Sequence, residues 1–383
     1  MGPGPSMVDP RVQLAMGASA VGYLDPAAFE VLDDIKQLLQ YAFQTENKFT
    51  LALTGTGSAG MEAAVMNFVE RGTKVGVLDN GFFSDRLTEM CRRRQADIVR
   101  LEKPWGEVFG EDEVAAFIER ENPQVVTFVQ AETSTGAFQP SKAICGAAHA
   151  AGALVIGDCV TSLGGMPVEV DRNGIDIAYS ATQKCLGAPA GLAPITLSPR
   201  AVERLEASEN KSAGWYFDLK LLFGYWKEPR TYHHTAPISL LYALREALRI
   251  IHEETLEVRH ARHRLNHLAL VAGLEAMGLK MHVEPRRRLW ALNAVRLPNG
   301  IGDVTLRRAL LDGYGIEVLG GFGPLAGQIL RVGLMGASST RNNVLLFLDA
   351  LETCLARQNY VAAGPGARAA EQVYLRQSEA DAG

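Results

Sequence analysis

The chain has 383 residues, with 38 Lys and Arg against 43 Asp and Glu, a net charge of −5; 47% of positions are apolar and 21% charged. These fractions belong to an ordinary globular protein and exclude disorder over most of the chain, and the length allows roughly two domains of about 150 residues. The only tight basic clusters, Arg92 to Arg94 and Arg286 to Arg288, are too short to line a phosphate-binding groove, so no nucleic-acid partner is expected.

The opening MGPGPSMVDP has neither the basic nor the apolar region of a secretory signal. No apolar run approaches the roughly 18 residues of a membrane helix. A cytoplasmic protein without a membrane partner is the default expectation. From about residue 27, helical periods alternate with short apolar runs. AAFEVLDDIKQLLQYAF reads as a helix and FTLALTG as a strand; SAGMEAAVMNFVERG is again helical and KVGVLDN strand-like. The alternation continues through ADIVRLE, QVVTFVQAE, ALVIGDCV, IDIAYSAT and APITLSP. This is the pattern of βαβ units, and strands that are apolar throughout suit a mostly parallel sheet covered on both faces.

After Pro237 the texture changes. Ser239 to Leu279 reads as one long helix, followed by two strand-like runs, LWALNAVRLPN and GQILRVGL. Two helical runs, VTLRRALLDGYG and NNVLLFLDALETCLARQ, accompany them. The last 20 or so residues carry few large apolar groups and are expected to be a flexible tail. The five cysteines (Cys91, Cys145, Cys159, Cys185, Cys354) are odd in number, with no CxxC spacing. They predict reduced core thiols and no metal site.

Two constellations carry chemistry. Gly55-Thr56-Gly57-Ser58-Ala59-Gly60 is a literal GxGxxG that follows a strand and opens a helix, with Asp79 ending the next strand. Read by its letters, it is a dinucleotide fingerprint and would make the chain a nicotinamide-dependent dehydrogenase. Its physics is broader, because a glycine turn and free helix amides bind any phosphate. The second constellation is Asp158, ending the strand ALVIGD, and Lys184, in the segment that follows the strand IDIAYSAT. Both would face the crevice at the carboxyl ends of neighbouring strands. Burial would lower the pKa of Lys184 and make its amine nucleophilic, and Asp158 could keep a pyridine nitrogen protonated. A phosphate cup, a carboxylate and a Schiff-base lysine fit pyridoxal 5'-phosphate.

With these residues in view, the sequence resembles the class V, fold-type I aminotransferases that use pyridoxal 5'-phosphate, above all the alanine–glyoxylate and serine–pyruvate type. The matching stretches are GPGPS at 2–6, TGTGSAGMEAA at 54–64, NGFFSDR at 80–86 and ETSTG at 132–136. Further matches are the block from 157 to 191, YHHTAP at 232–237 and LRVGLMG at 330–336.

The resemblance implies an α/β fold with a mostly parallel seven-stranded sheet, flanking helices and a smaller α+β C-terminal domain. It implies that Lys184 bonds to the cofactor and moves the proton, and that Asp158 partners the ring nitrogen. Thr56, Gly57, Ser58 and Gln183 would hold the phosphate, Phe83 would stack on the ring and Thr133 would lie beside it. Arg331 would grip the substrate carboxylate, with Gly4 and Tyr23 at the substrate end. Tyr232 and Thr235 would reach the partner subunit's phosphate, which implies a homodimer. Phe83 stands where close relatives carry Trp, and Tyr23 stands in a segment that often carries His or Ser. His233 and His234 read as structural.

The expected division is an N-terminal segment 1–22, a large cofactor domain 23–255, a small domain 256–360 and a tail 361–383. The expected reaction is ping-pong transfer of an amino group from alanine or serine to glyoxylate or another small 2-oxo acid. A ureidoglycine–glyoxylate or aspartate–glyoxylate aminotransferase is the alternative within the family. A cysteine desulfurase would need a cysteine in EVLGGFGPLAGQILR, which has none.

Overall fold

The structure is a computed structural model that describes residues 1–208 and 214–382. Its main sheet has seven strands: β1 (Phe49–Thr54), β2 (Lys74–Asp79), β3 (Asp97–Glu102), β4 (Val125–Val129), β5 (Leu154–Asp158), β6 (Ile177–Tyr179) and β7 (Leu192–Leu197). They lie in the order β1-β7-β6-β5-β4-β2-β3. Strand β7 is antiparallel to both of its neighbours, and every other pair is parallel. The apolar runs of the sequence are therefore strands, as their lack of alternation predicts for a sheet covered on both sides. The edge strand β3 is the exception: it is half exposed, with Asp97, Arg100 and Glu102, charges that guard an open edge against further pairing.

Helices α1 (Pro10–Met16), α2 (Pro26–Phe43), α3 (Gly57–Phe68) and α4 (Phe82–Arg93) come early in the chain. Proline in the first turn and an aspartate cap start both α1 and α2, with Asp9 Oδ1 accepting from Arg11 N and Asp25 Oδ1 from Ala27 N. Helices α3 and α4 follow directly on β1 and β2, so their N-termini open at the carboxyl edge of the sheet.

The stretch from 238 on is two helices, α5 (Ile238–Glu254) and α6 (Leu256–Ala276), not the one long helix its period suggests. Thr255 breaks it at φ +66, a value rare for a β-branched residue. Its hydroxyl accepts from Val258 N and caps α6. Beyond α6 a four-stranded antiparallel sheet forms from β8 (Lys280–Met281), β9 (Leu292–Arg296), β10 (Leu319–Gly320) and β11 (Ile329–Gly333), in the order β8-β9-β11-β10. Met1 O accepts from Gly333 N at 2.7 Å, which ties the N-terminal segment to the end of β11.

Two large apolar cores result. One gathers residues between Ala28 and Leu256 around the main sheet. The other gathers residues between Ala269 and Tyr374 around the small sheet, α7 (Arg341–Ala356) and α8 (Gly366–Ala382). Within the segment 361–383 expected to be a flexible tail, residues 366–382 form helix α8, and Gly383 lies outside the described residues. The helix packs along α6 and α7, burying Ala370 and Tyr374, and Tyr374 OH donates to Asn266 Oδ1 at 2.7 Å. Small residues carry its apolar stripe, so composition under-reports its packing.

Candidate active site

Helix α3 opens without a side-chain cap. Thr56 has extended backbone and its hydroxyl makes no capping bond, so the first amides of the helix keep no side-chain partner. The three glycines of the motif each have a steric reason. A Cβ on Gly57 would press on Ala181 and Val160, and one on Gly60 on Ala193 and Tyr179, while Gly55 adopts φ +147. Helix and strand therefore approach closely here, and the helix N-terminus lies against the ends of β5 and β6.

Asp158 ends β5, buried, its Oδ1 accepting from Val160 N at 2.9 Å and its Oδ2 from Tyr179 OH at 3.0 Å. Burial pushes its pKa up to about 6 against those hydrogen bonds and the nearby Arg86 and Lys184. Lys184 sits in the turn after β6. Ser6 N donates to Gln183 O and Ser6 Oγ to Lys184 O, at 2.7 and 2.8 Å. Thr182 Oγ1 closes the turn onto Pro189 O at 2.6 Å. Burial draws the Lys184 amine down to about 8, and its Nζ donates to Pro3 O. A Cβ on Gly4, at φ +108, would collide with the Lys184 side chain, so the GPGP segment packs directly on this lysine.

Phe83 enters from the first turn of α4. That turn is anchored by a buried carboxylate: Glu132 Oε2 accepts from Phe83 N at 3.1 Å, and its Oε1 accepts from Ser134 N and Oγ at 3.0 and 2.6 Å. A carboxylate at a helix N-terminus also suits the helix dipole. Burial nonetheless pushes Glu132 up to about 7. Arg86, one turn on, lies 4.9 Å from the Phe83 ring centroid and donates from Nη1 to Ser58 Oγ at 2.9 Å.

These groups surround one cavity of about 240 Å³, lined by Thr56, Gly57, Ser58, Phe83, Thr133, Asp158, Gln183 and Lys184, together with Arg86 and apolar neighbours. Arg331 on β11 stands behind its wall. It is 2% exposed, its Nη1 donates to Thr133 O at 3.1 Å, its Nε donates to Gly320 O at 2.7 Å, and its guanidinium lies 4.1 Å from the Phe322 ring centroid. No carboxylate forms an ion pair with it among the described residues, and burial lowers its pKa to about 10.

Tyr23, Tyr232 and Thr235 do not line this cavity. Tyr232 and Thr235 are exposed, and Tyr23 packs on Tyr232 with ring centroids 5.3 Å apart. Behind them, His234 meets Thr54 Oγ1 at 2.7 Å and His233 at 2.8 Å. Two residues escaped the sequence reading. Arg86 was quoted only as the end of NGFFSDR, although its spacing from Phe82 and Phe83 places all three on one face. Glu132 was quoted only as part of ETSTG.

The sequence profile of the family "Aminotransferase class-V" matches residues 13–347. The chain is a class-V aminotransferase. A relative, the (S)-ureidoglycine–glyoxylate transaminase of Bacillus subtilis, is 39% identical over 98% of this chain and 94% of its own. The alanine–glyoxylate aminotransferase of Callithrix jacchus is 36% identical over 93% and 87%. A solved alanine–glyoxylate aminotransferase from Nostoc superposes with a TM-score of 0.91 at 46% identity, covering 93% of this chain and 94% of that one.

The dehydrogenase reading of GTGSAG falls with this. Asp79, which would bind a ribose, is buried instead against Ser84 Oγ at 2.7 Å and the Arg100 guanidinium. As a class-V aminotransferase the chain implies pyridoxal phosphate, and its residues fit that group. The uncapped amides of α3, with Gln183 bordering the same cavity, suit a phosphate end. Asp158, buried and raised in pKa, suits a cationic ring nitrogen. Lys184 has the depressed amine that attachment to an aldehyde requires.

Proposed function

We propose that this aminotransferase moves the amino group of a small L-amino acid, alanine or serine, to glyoxylate or another small 2-oxo acid. It does so with pyridoxal 5'-phosphate held in the cavity. What supports this reading is Lys184 and Asp158 lining one cavity, with Arg331 buried behind its wall and without a carboxylate partner among the described residues.

When bound, the cofactor supplies the electron sink that stabilises negative charge at the substrate Cα. The chain supplies the rest. Thr56, Gly57, Ser58 and Gln183 would hold the phosphate, Asp158 would partner the ring nitrogen, and Phe83 and Thr133 would border the ring. Arg331 offers a planar fork for the α-carboxylate that donor and acceptor share. Lys184 Nζ, near neutral pKa and shielded from water, takes the Cα proton and returns it. One carboxylate anchor and one lysine serve both substrates in turn, which makes the order ping-pong.

We also propose a homodimer. Tyr232 and Thr235, exposed on the protomer, would complete the partner's phosphate site, with Tyr23 beside them at its substrate end. Five buried, unpaired thiols suit a reducing cytoplasm. A second reading, (S)-ureidoglycine as donor, is favoured by the relative that is 39% identical. A panel of amino donors, assayed against glyoxylate and pyruvate with Lys184→Ala as the blank, decides. Alanine or serine with glyoxylate should give the highest kcat/KM. Preference for ureidoglycine selects the second reading, and no transfer from any donor rejects both.

A further inference from the structure

The break at Thr255 has a chemical consequence. It places the end of α5 against the first turns of α6, so that Glu254 meets Arg259 and Arg262. Arg259 Nη1 donates to Glu254 Oε2 at 2.7 Å, and Arg262 Nε to Glu254 Oε1 at 2.5 Å. Arg259 is buried, and its other donors go to backbone: Nη2 to Cys185 O at 2.7 Å and Nε to Gly164 O at 2.8 Å. Cys185 is the residue after Lys184, so one arm of this cluster holds the lysine turn.

The other arm holds the segment after β11. His263, one turn along from Arg259, donates from Nδ1 to Arg259 O at 2.8 Å, which leaves Nε2 to accept from Gly336 N at 3.1 Å. Both bonds need the neutral ring in one tautomer. Burial and the guanidinium groups of Arg259 and Arg262 keep it neutral, with a pKa lowered to about 3. Arg262 Nη1 adds bonds to Gly336 O and Ser339 O, at 3.1 and 2.7 Å. Gly336, at φ +56, lies against Cys185 O, where a Cβ would come within 3.3 Å. The lysine turn and the segment leaving the Arg331 strand therefore meet at this cluster.

We propose that Arg259 and His263 are positioning residues: together they fix the Lys184 turn relative to the Arg331 strand, and so the span between the cofactor end and the carboxylate end of the site. The two arms have separable effects. Arg259 acts through Cys185 on the lysine turn, and His263 acts through Gly336 on the carboxylate anchor. This inference rests on the functional reading above.

The test compares wild-type protein, Arg259→Lys, His263→Leu and His263→Gln. It measures the Kd of pyridoxal phosphate for the apoprotein, KM and kcat for the amino donor, and Tm. Lysine has no planar fork for two carbonyls, so Arg259→Lys should raise the cofactor Kd about 10-fold. His263→Leu should raise donor KM about 10-fold while leaving the cofactor Kd within about twofold. His263→Gln, which can still accept from Gly336 N, should recover most of that KM loss.

Should His263→Leu fail to fold, His263→Asn, too short to span both partners, carries the same expectation. Variants that change only Tm, or that move Kd and KM together in both arms, overturn the proposal. Wild-type protein that neither binds the cofactor nor transfers amino groups would instead bring down the functional reading.

Discussion

A guanidinium buried with only carbonyl partners and an aromatic face is an expensive arrangement unless something anionic arrives to meet it. Arg331 is in that position, joined through Thr133 O to the cavity wall. Arg331→Ala should weaken binding of the donor carboxylate by about 2 to 5 kcal/mol, measured as donor KM and inhibitor Kd for small carboxylates. An unchanged KM would reject the role. Lys184 gives a second measurement at this scale. With its pKa lowered from the usual lysine value to about 8, the amine of the apoprotein is neutral above that pH. Its labelling by an amine-reactive reagent should rise with a midpoint near pH 8, well below ordinary lysines. A midpoint above pH 10 would contradict its burial in the site. Asp158 and Lys184 were legible because strand ends in a parallel sheet converge. The phosphate turn at Gly55 to Gly60 was legible from its glycines, whereas Arg331 and Gln183 needed the family likeness. Glu132 and Arg259 were hidden because their work is done on backbone groups of distant segments, which no local spacing encodes.

Among the elements, α3 and α4 do most to shape the cavity, and both were legible as helices that follow strands. Two elements were not. The break between α5 and α6 uses neither Gly nor Pro, and the apolar period runs through it; the Thr255 cap and the packing of Arg259 and Arg262 on Glu254 hold the turn there. Helix α8 was hidden by its small residues, although Ala370 and Tyr374 share the spacing of one face. It ties into the region that Arg262 also holds, since Tyr374 OH bonds Asn266, whose Nδ2 donates to Ser339 O at 2.9 Å. Tyr374→Phe leaves a buried amide oxygen without its donor. It should cost about 1 to 3 kcal/mol of stability in denaturant unfolding. No loss would mean that α8 does not dock in solution.

Burial lowers the pKa of six imidazoles among the described residues, His233 and His282 included, and four are held neutral most strongly: His263 near 3, and His234, His260 and His267 near 4. Each binds a proton in the unfolded chain below about pH 6.5 but not in the folded one, so its contribution is present above that pH and lost as pH falls. Asp158 and Glu132, raised to about 6 and 7, act in the opposite sense, since they hold protons in the folded state that the unfolded chain releases above about pH 4. The histidines outnumber them, so Tm of the apoprotein should fall as pH drops from 6.5 towards 4.5. A flat or rising Tm would show that the imidazoles are accessible. Mixing tests the shared site. If Tyr232 serves the partner's cavity, inactive Lys184→Ala and impaired Tyr232→Ala subunits should regain activity when recombined, because the hybrid holds one intact site. No recovery would place Tyr232 outside the partner's site.

The most direct test of the whole account is reduction of the protein with borohydride in the presence of pyridoxal phosphate, followed by peptide mass analysis. The label is expected on Lys184 alone, and prior addition of alanine should protect that lysine until glyoxylate is supplied. A label on another lysine, or none, would contradict the account.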